Sequence, residues 1–473
     1  MHSSYGIVAR VPPTEPPMPM AAPAARLRQD LSAPGLIRLL RRAFAAVPDP
    51  RRAGSVEHAL PDVLGAAFAM FHLKFGSMLD FDHRSRGADS ADPHLIHNLE
   101  HLYGLGSVPS DSQMRDVLDR IPPEALRGAF ETIHGALQRG KALEDFTGLG
   151  GRYILAIDGT GTFCSTTVSC PHCLVRRRAG GTTEYAHQAV AAAMVHPDRR
   201  GQALVVASEP ISCADGAAKN DCERNAVGRL LDYLGTSPAF DKRRWLVVED
   251  ALAANGPHIE ALIGHEMDFI VGHTPGTSST LEAELQRRFE AGEFTECAET
   301  TDADGAVRGY RFLNDVGLNA GHRHVRVNHL EAWETDARGK ERLFTWVTSL
   351  EITEENAAEI ARTARSRWRI ENELFNVLKN QGYEYGRNYG HGKRHLSSTL
   401  GTMTLLAFLV DQVQEQSCRV YQEARRAQRT LKGLWRRMRV VMELLYVSDW
   451  ATMWTLMIDP DAAMNTEVQP RAG

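Results

Sequence analysis

The chain has 473 residues, 43% of them hydrophobic, which suits roughly two to four domains with a large core. Its formal net charge of -5 excludes a generic polycation, so any contact with nucleic acid must come from local basic patches. Seven cysteines, sparse and unevenly spaced, argue against a disulfide scaffold and fit a reducing cytoplasm; the longest apolar run, TLLAFLV around Leu405, falls well short of a membrane span.

Residues 1–26, rich in proline and alanine and without the apolar block of a secretion signal, read as a disordered tail. From 27 to 150 the pattern is helical. PGLIRLLRRAF, LPDVLGAAFAMFHLKF, SQMRDVLDRI and EALRGAFETIHGAL repeat apolar residues every three or four positions, with Ser110 or Asp111 placed to cap the third. At Gly150-Gly151 the texture changes. RYILAIDGT reads as a buried strand ending in Asp158, and HQAVAAAMVHP and QALVVASEPI read as further strands. DCERNAVGRLLDYL is a helix, with Asp221 as its expected cap. RWLVVEDAL is a strand ending in carboxylates, IEALIGH a helix and MDFIVGHT a strand, so the region is α/β. About 275–345 opens with the charged helix LEAELQRRFEAG and continues as short alternating segments, an inserted β subdomain. ARSRWRIENELFNVLKNQG, Ala364 to Gly382, then reads as one amphipathic helix, and the rest to about Met457 is helical and basic from 415 onward.

Side chains at the carboxyl ends of strands face the crevice where open α/β sheets bind ligands, so Asp158 and Asp250 are candidates for one site, with Glu371 reaching it from the later helix. Converging carboxylates repel one another unless cations neutralise them, and Mg²⁺ accepts carboxylate oxygens while keeping water for a phosphate substrate. Aspartate after a strand is also ordinary turn chemistry.

The order AIDGT, VVEDA, a β insertion and RWRIENELFNVLKNQGY resembles the DDE transposases of the IS4-like type, across roughly 152–414. The resemblance implies a ribonuclease-H-like core with an inserted β subdomain, flanked by N-terminal and C-terminal helical regions. It implies that Asp158, Asp250 and Glu371 hold two Mg²⁺ or Mn²⁺ ions for DNA strand cleavage and strand transfer. It further implies a homodimer acting on double-stranded element ends and target, in the bacterial cytoplasm at the nucleoid. The family's helix motif runs Tyr, Arg, Glu, Lys. Arg367 and Glu371 match its middle pair, four residues apart and therefore on one helix face. Ala364 stands in the tyrosine's place. Leu378 stands in the lysine's place, with Lys379 next to it and carried over as the candidate lysine. Glu249 and Glu373 are the neighbouring acids most easily mistaken for the catalytic ones.

Several clusters remain. Cys170 and Cys173 form a Cys-x-x-Cys half-site for zinc, to be completed by Cys164 and His187 only if folding brings them together. Arg176, Arg177 and Arg178 read as a basic, flexible loop beside the crevice. Arg387, Lys393 and Arg394 are candidates for tracking a DNA strand, with His391 among them and Tyr383, Tyr385 or Tyr389 stacking on a base. Arg436 and Arg437 lead the C-terminal cationic cluster, a DNA contact or a solvated face. Trp368 reads as core packing in preference to base stacking. Glu209 is an accessory acid. No phosphate-binding Gly-x-x-x-x-Gly-Lys loop, dinucleotide fingerprint or Gly-x-Ser-x-Gly elbow occurs, so ATP, NAD and serine-hydrolase chemistry have no support. Two rivals stand beside transposition: a decayed copy acting only as a DNA-binding protein, and an RNase H-like nuclease unlinked to a mobile element.

Overall fold

The computed structural model describes residues 28–86, 91–178, 180–211, 222–240, 243–301, 305–459 and 461. The proposed tail and the Asp221 cap lie outside the described residues.

Among the described residues, the first region holds six α-helices: α1 (Ala33–Ala45), α2 (Leu60–His72), α3 (Met78–Arg86), α4 (Pro93–Tyr103), α5 (Asp111–Leu118) and α6 (Arg127–Arg139). Sequence periodicity anticipates four of them. Ser110 caps α5 through a capping box with Gln113, which satisfies two amide donors at once.

The sheet that follows is built on β1 (Tyr153–Ser165), β2 (Leu174–Arg177), β3 (Thr183–Met194), β4 (Leu204–Ile211), β5 (Trp245–Glu249) and β6 (Asp268–Gly272). Its core order is β4-β3-β1-β5-β6. β3 runs antiparallel to β1 and to β4, whereas β5 and β6 run parallel to β1. This mixed sheet fits the ribonuclease-H-like fold. β5 is buried at every position, and its first four residues, Trp245 to Val248, form the apolar run expected of a central strand, with the buried Glu249 at its end. α7 (Glu223–Thr236) packs on β3 and β4, and α8 (Gly256–Gly264) on β6.

After α9 (Ser279–Glu290), four antiparallel strands extend the same sheet beyond β6: β7 (Thr295–Thr301), β8 (Val307–Gly317), β9 (Arg326–Thr335) and β10 (Glu341–Thr348). β10 pairs directly with β6. The expected insertion is thus continuous with the core sheet, and β7 is a strand that the sequence pattern did not reveal.

The stretch read as one amphipathic helix is instead broken. α10 (Ala357–Arg365) ends in a turn at Ser366. Ile370–Phe375 is a π-helix, and α11 (Asn376–Asn380) continues from it. The long α12 (Leu396–Ser417) then runs through the middle of the molecule, touching α2, α5 and β4. By length and composition α12 could cross a membrane, but 78% of its most apolar window is buried within the fold. Asp119, just past α5, accepts the backbone N–H groups of Lys393, Arg394, His395 and Leu396, so the first region supplies the cap that α12 lacks locally. The chain closes with α13 (Arg419–Ala427), α14 (Leu431–Leu444) and α15 (Trp450–Ile458).

Candidate active site

Asp158 lies inside β1, not at its end, because the strand continues to Ser165. Ala156 pairs with Val248 across the parallel β1–β5 ladder. Asp158 and Asp250 each lie two residues beyond that pair. The ladder stops at that pair and Asp250 lies just past the end of β5, so it is the shared cleft that brings the two acids together. Both line a cleft of about 350 Å³ together with Glu223, Glu249 and His258. Asp250 also caps the short 3₁₀ turn that follows it, accepting the Leu252 N–H at 2.9 Å.

Arg367 joins the later helix to this cleft. Its guanidinium donates to Asp158 at 3.2 Å and pairs with Glu371 at 2.7 Å. With Asp250 it lines an adjoining cleft of about 260 Å³. Glu371 sits at the rim, its side chain 49% exposed. Among the described residues, the carboxylate oxygens of Asp158, Asp250 and Glu371 are not gathered into one tight ligand cluster.

Burial raises the Asp158 carboxyl to about 6. The Arg367 charge and the Gly159 N–H oppose that rise, and the charges of Glu371 and Glu223 add to it. Glu223 is raised by burial and by its neighbours Asp250 and Glu249. It comes so close to the strand that a Cβ on Gly159 would lie 2.7 Å from its carboxylate, so a larger residue there would push the Glu223 carboxylate aside. Glu223 was read only as part of a helix start. Its role beside Asp158 depends on the approach of α7 to β1, for which the sequence carries no signal. A crowded set of oxygen donors with raised proton affinity is the chemistry that suits a hard divalent cation.

The neighbouring acids are otherwise engaged. Glu249 is buried and bonded to His258 at 2.6 Å, and Glu373 pairs with Arg369 at 2.9 Å. Glu209 holds Arg127 and Arg229, which leaves it no accessory place in the cleft.

Lys379 is exposed on α11, and Leu378 is fully buried. The π-helix explains this inversion. It inserts one residue into the helical register, so the angular position expected seven residues after Glu371 falls eight residues after it.

Other sequence candidates are placed as follows. Arg176 and Arg177 belong to strand β2, which corrects the expectation of a flexible loop. Arg176 donates to Gln188 and Arg178 pairs with Glu184, and all three arginines are exposed. Tyr383, Tyr385 and Tyr389 are buried, so none offers a face for stacking; Tyr383 bonds Asp411 and Tyr389 bonds the Phe75 carbonyl. Arg387 donates to the Gly76 carbonyl. The backbones of Lys393 and Arg394 are fixed by Asp119 while their side chains are exposed. On α14, Arg436 is exposed and Arg437 half-buried. Trp368 is 45% exposed, which overturns its reading as core packing.

Trp368 also edges a larger groove of about 620 Å³, lined by Trp333, Trp346, Phe344, Arg200, Arg308, Arg362, Arg365 and Arg369. The sequence reading missed this groove. Its only linear trace is the run of arginines at 362, 365, 367 and 369.

A mixed sheet of this order, with acids brought to one cleft and linked through an arginine to an acid on a later helix, fits the ribonuclease-H-like class of proteins. The family model for a transposase DDE domain matches residues 150–409, more than half of the chain, and the chain belongs to that family of transposases. Membership implies DNA binding and the use of divalent metal ions. No curated protein matches the chain.

Proposed function

We propose that this transposase cuts and joins DNA at the ends of an IS4-like insertion sequence, with Asp158, Asp250 and Glu371 as its acidic triad. The observation that carries the reading is Arg367, which ties Glu371 to Asp158, with Asp250 lining the same cleft as Asp158. Bound between these carboxylates, Mg²⁺ or Mn²⁺ would neutralise their charge and stabilise the attacking and leaving oxygens of a phosphodiester. Arg367 orients Glu371 toward the strand acids and offers a fork suited to phosphate oxygens. Lys379, on the exposed face that Glu371 shares, contacts the DNA backbone. The arginine- and tryptophan-lined groove receives single-stranded or splayed DNA, with Trp368 available for stacking. Arg176, Arg177, Arg178, Arg387, Lys393, Arg394, Arg436 and Arg437 present cations to the duplex. Action as a homodimer on paired ends, within the bacterial cytoplasm, belongs to the same reading.

The test is incubation of the chain with Mg²⁺ or Mn²⁺ and DNA carrying the gene's own flanking ends. Nicking at the boundary that is lost in Asp158→Ala, with binding retained, supports the reading. Equal nicking by the variant refutes it. A second reading, a copy that binds ends without cutting, is favoured by Ala364, which is buried where the motif places a tyrosine. Binding without nicking under every divalent ion would select it.

A further inference from the structure

Four side chains unconnected to the acidic cleft converge at the far end of β1. Cys170 and Cys173 lie in the connection between β1 and β2, His187 lies on β3, and His391 lies in the segment leading to α12. One ligand atom from each falls within 4.8 Å of all the others. We infer that these residues form a structural zinc site that fastens the β1–β2–β3 hairpin to the segment following the Glu371 helix.

The geometry supports a single tetrahedral ion. With Zn–S of about 2.3 Å and Zn–N of about 2.0–2.1 Å, a tetrahedron has S–S edges of about 3.8 Å and S–N edges of about 3.5 Å. The two sulfurs are 3.8 Å apart. The sulfur to Nε2 distances are 3.4 Å for Cys170–His187, 3.6 Å for Cys173–His187 and 3.2 Å for Cys173–His391. Both imidazoles turn Nε2 toward the thiols, and a sulfur separation of 3.8 Å is far longer than a disulfide bond.

The local fold produces this convergence. Leu174 pairs with Ala186 in the β2–β3 ladder, which sets Cys173 across from His187. A tight turn brings Cys170 back, closed by the Cys173 N–H on the Cys170 carbonyl at 3.1 Å. The Cys170 N–H donates to the Cys173 sulfur at 3.3 Å, a contact that stabilises a thiolate. Phe163 covers the site, its ring 4.7 Å from that of His391. Two sulfurs and two imidazoles in a half-buried tetrahedron select zinc over the hard ions suited to carboxylates. Cys164, considered from the sequence as a fourth ligand, is exposed and takes no part; His391 takes that place.

The ion would join residues 173 and 391, more than two hundred positions apart, and hold His391 close to Lys393 and Arg394. That role is structural, and its test needs no DNA. The full chain, purified without chelators, is assayed for metal by mass spectrometry. About one equivalent of zinc per chain is expected, falling to background in Cys173→Ser and His391→Ala and unchanged in Cys164→Ser. In case those variants fail to fold, the wild-type chain is stripped and titrated with Co²⁺, which should give the thiolate charge-transfer and visible bands of a tetrahedral S₂N₂ site. A folded wild-type chain that binds no zinc and gives no such bands, or that holds zinc equally after His391→Ala, overturns the inference. Failure of DNA cleavage alone bears on the acidic triad and leaves the zinc result standing.

Discussion

Arg367 stands between two carboxylates from different elements, 3.2 Å from Asp158 on β1 and 2.7 Å from Glu371 on the π-helix. The ion pair with Asp158 is largely screened from solvent, the two side chains being 15% and 19% exposed. It both lowers the proton affinity of Asp158 and fixes the direction of Glu371. Arg367→Gln should therefore reduce strand cleavage by about a hundredfold to a thousandfold, the scale on which a preorganised charge contributes. Because the Arg367 charge lowers the Asp158 carboxyl, its loss should also move the acid limb of the pH–rate profile to higher pH. Nicking rates for wild type and variant across pH check both outcomes. An unchanged acid limb would show that Asp158 is not the group being titrated.

The π-helix at Ile370–Phe375 yields a prediction about register. Lys379→Ala should lower cleavage roughly tenfold, the rate equivalent of about 1.4 kcal/mol, without altering the melting temperature. Leu378→Lys should not rescue it, because Leu378 is fully buried and a lysine there would be an unpaired charge in the core. Deleting the exposed Asn372 should return the helix to regular α geometry, with Lys379 now seven residues after Glu371 on the exposed face and Leu378 still buried. The melting temperature should then stay close to that of the wild type, and an early thermal transition would show that the π-helix does not mark a one-residue insertion.

This register shift also shows where sequence reading reaches and where it stops. β1, β3, β4, β5 and β6 were legible because burial on both faces leaves continuous apolar runs. Asp158, Asp250, Glu371 and Arg367 were candidates through the resemblance of their motifs; the fold adds that Arg367 links Asp158 to Glu371 and that Asp158 and Asp250 line one cleft. The π-helix was not legible, since an extra residue in a helix leaves the apolar stripe nearly intact. Glu223 beside Gly159, and His391 beside Cys173, depend on contacts between elements far apart in sequence. The buried tyrosines misled because tyrosine suits a core and a DNA groove equally well. Their environment decides between the two, and their spacing does not.

A buried charge cluster joins three regions of the chain. Asp411 on α12 accepts from Lys74 at 2.8 Å and from the Tyr383 hydroxyl at 2.6 Å, and it lies 3.2 Å from His72. Lys74 in turn sits over the rings of Tyr383 and Trp435, 4.2 Å and 4.1 Å from their centres. Burial alone would raise the Asp411 carboxyl. Lys74 and His72 outweigh that effect and hold it below the ordinary range. Asp411→Ala would leave Lys74 buried without its counterion, at a cost of about 3–5 kcal/mol. Asp411→Ala with Lys74→Met should recover much of that loss, since no unpaired charge remains. Urea midpoints for the two variants test this, and equal destabilisation of both would place the loss elsewhere.

Two buried histidines predict how stability depends on pH. His134, bonded to the Val205 carbonyl, is lowered to about 3 by burial and by Arg243. His329, between β8 and β10, is lowered to about 3 by burial, His273 and Arg311. Both are neutral in the folded chain, whereas in the unfolded chain they protonate near 6.5. The unfolded state therefore binds more protons below that value. Stability contributed by each site is present above pH 6.5 and is lost as pH falls towards 3, by about 1.4 kcal/mol per pH unit. Neither ring nitrogen of His329 has a hydrogen-bond partner among the described residues. His329→Leu should therefore do two things: reduce the acid slope by one site, and leave stability at pH 7 unchanged or higher, since two unsatisfied polar atoms are replaced by apolar ones. Urea midpoints at a series of pH values between 7 and 4 measure the slope directly, and identical slopes for wild type and variant would mean that His329 is already protonated in the folded chain.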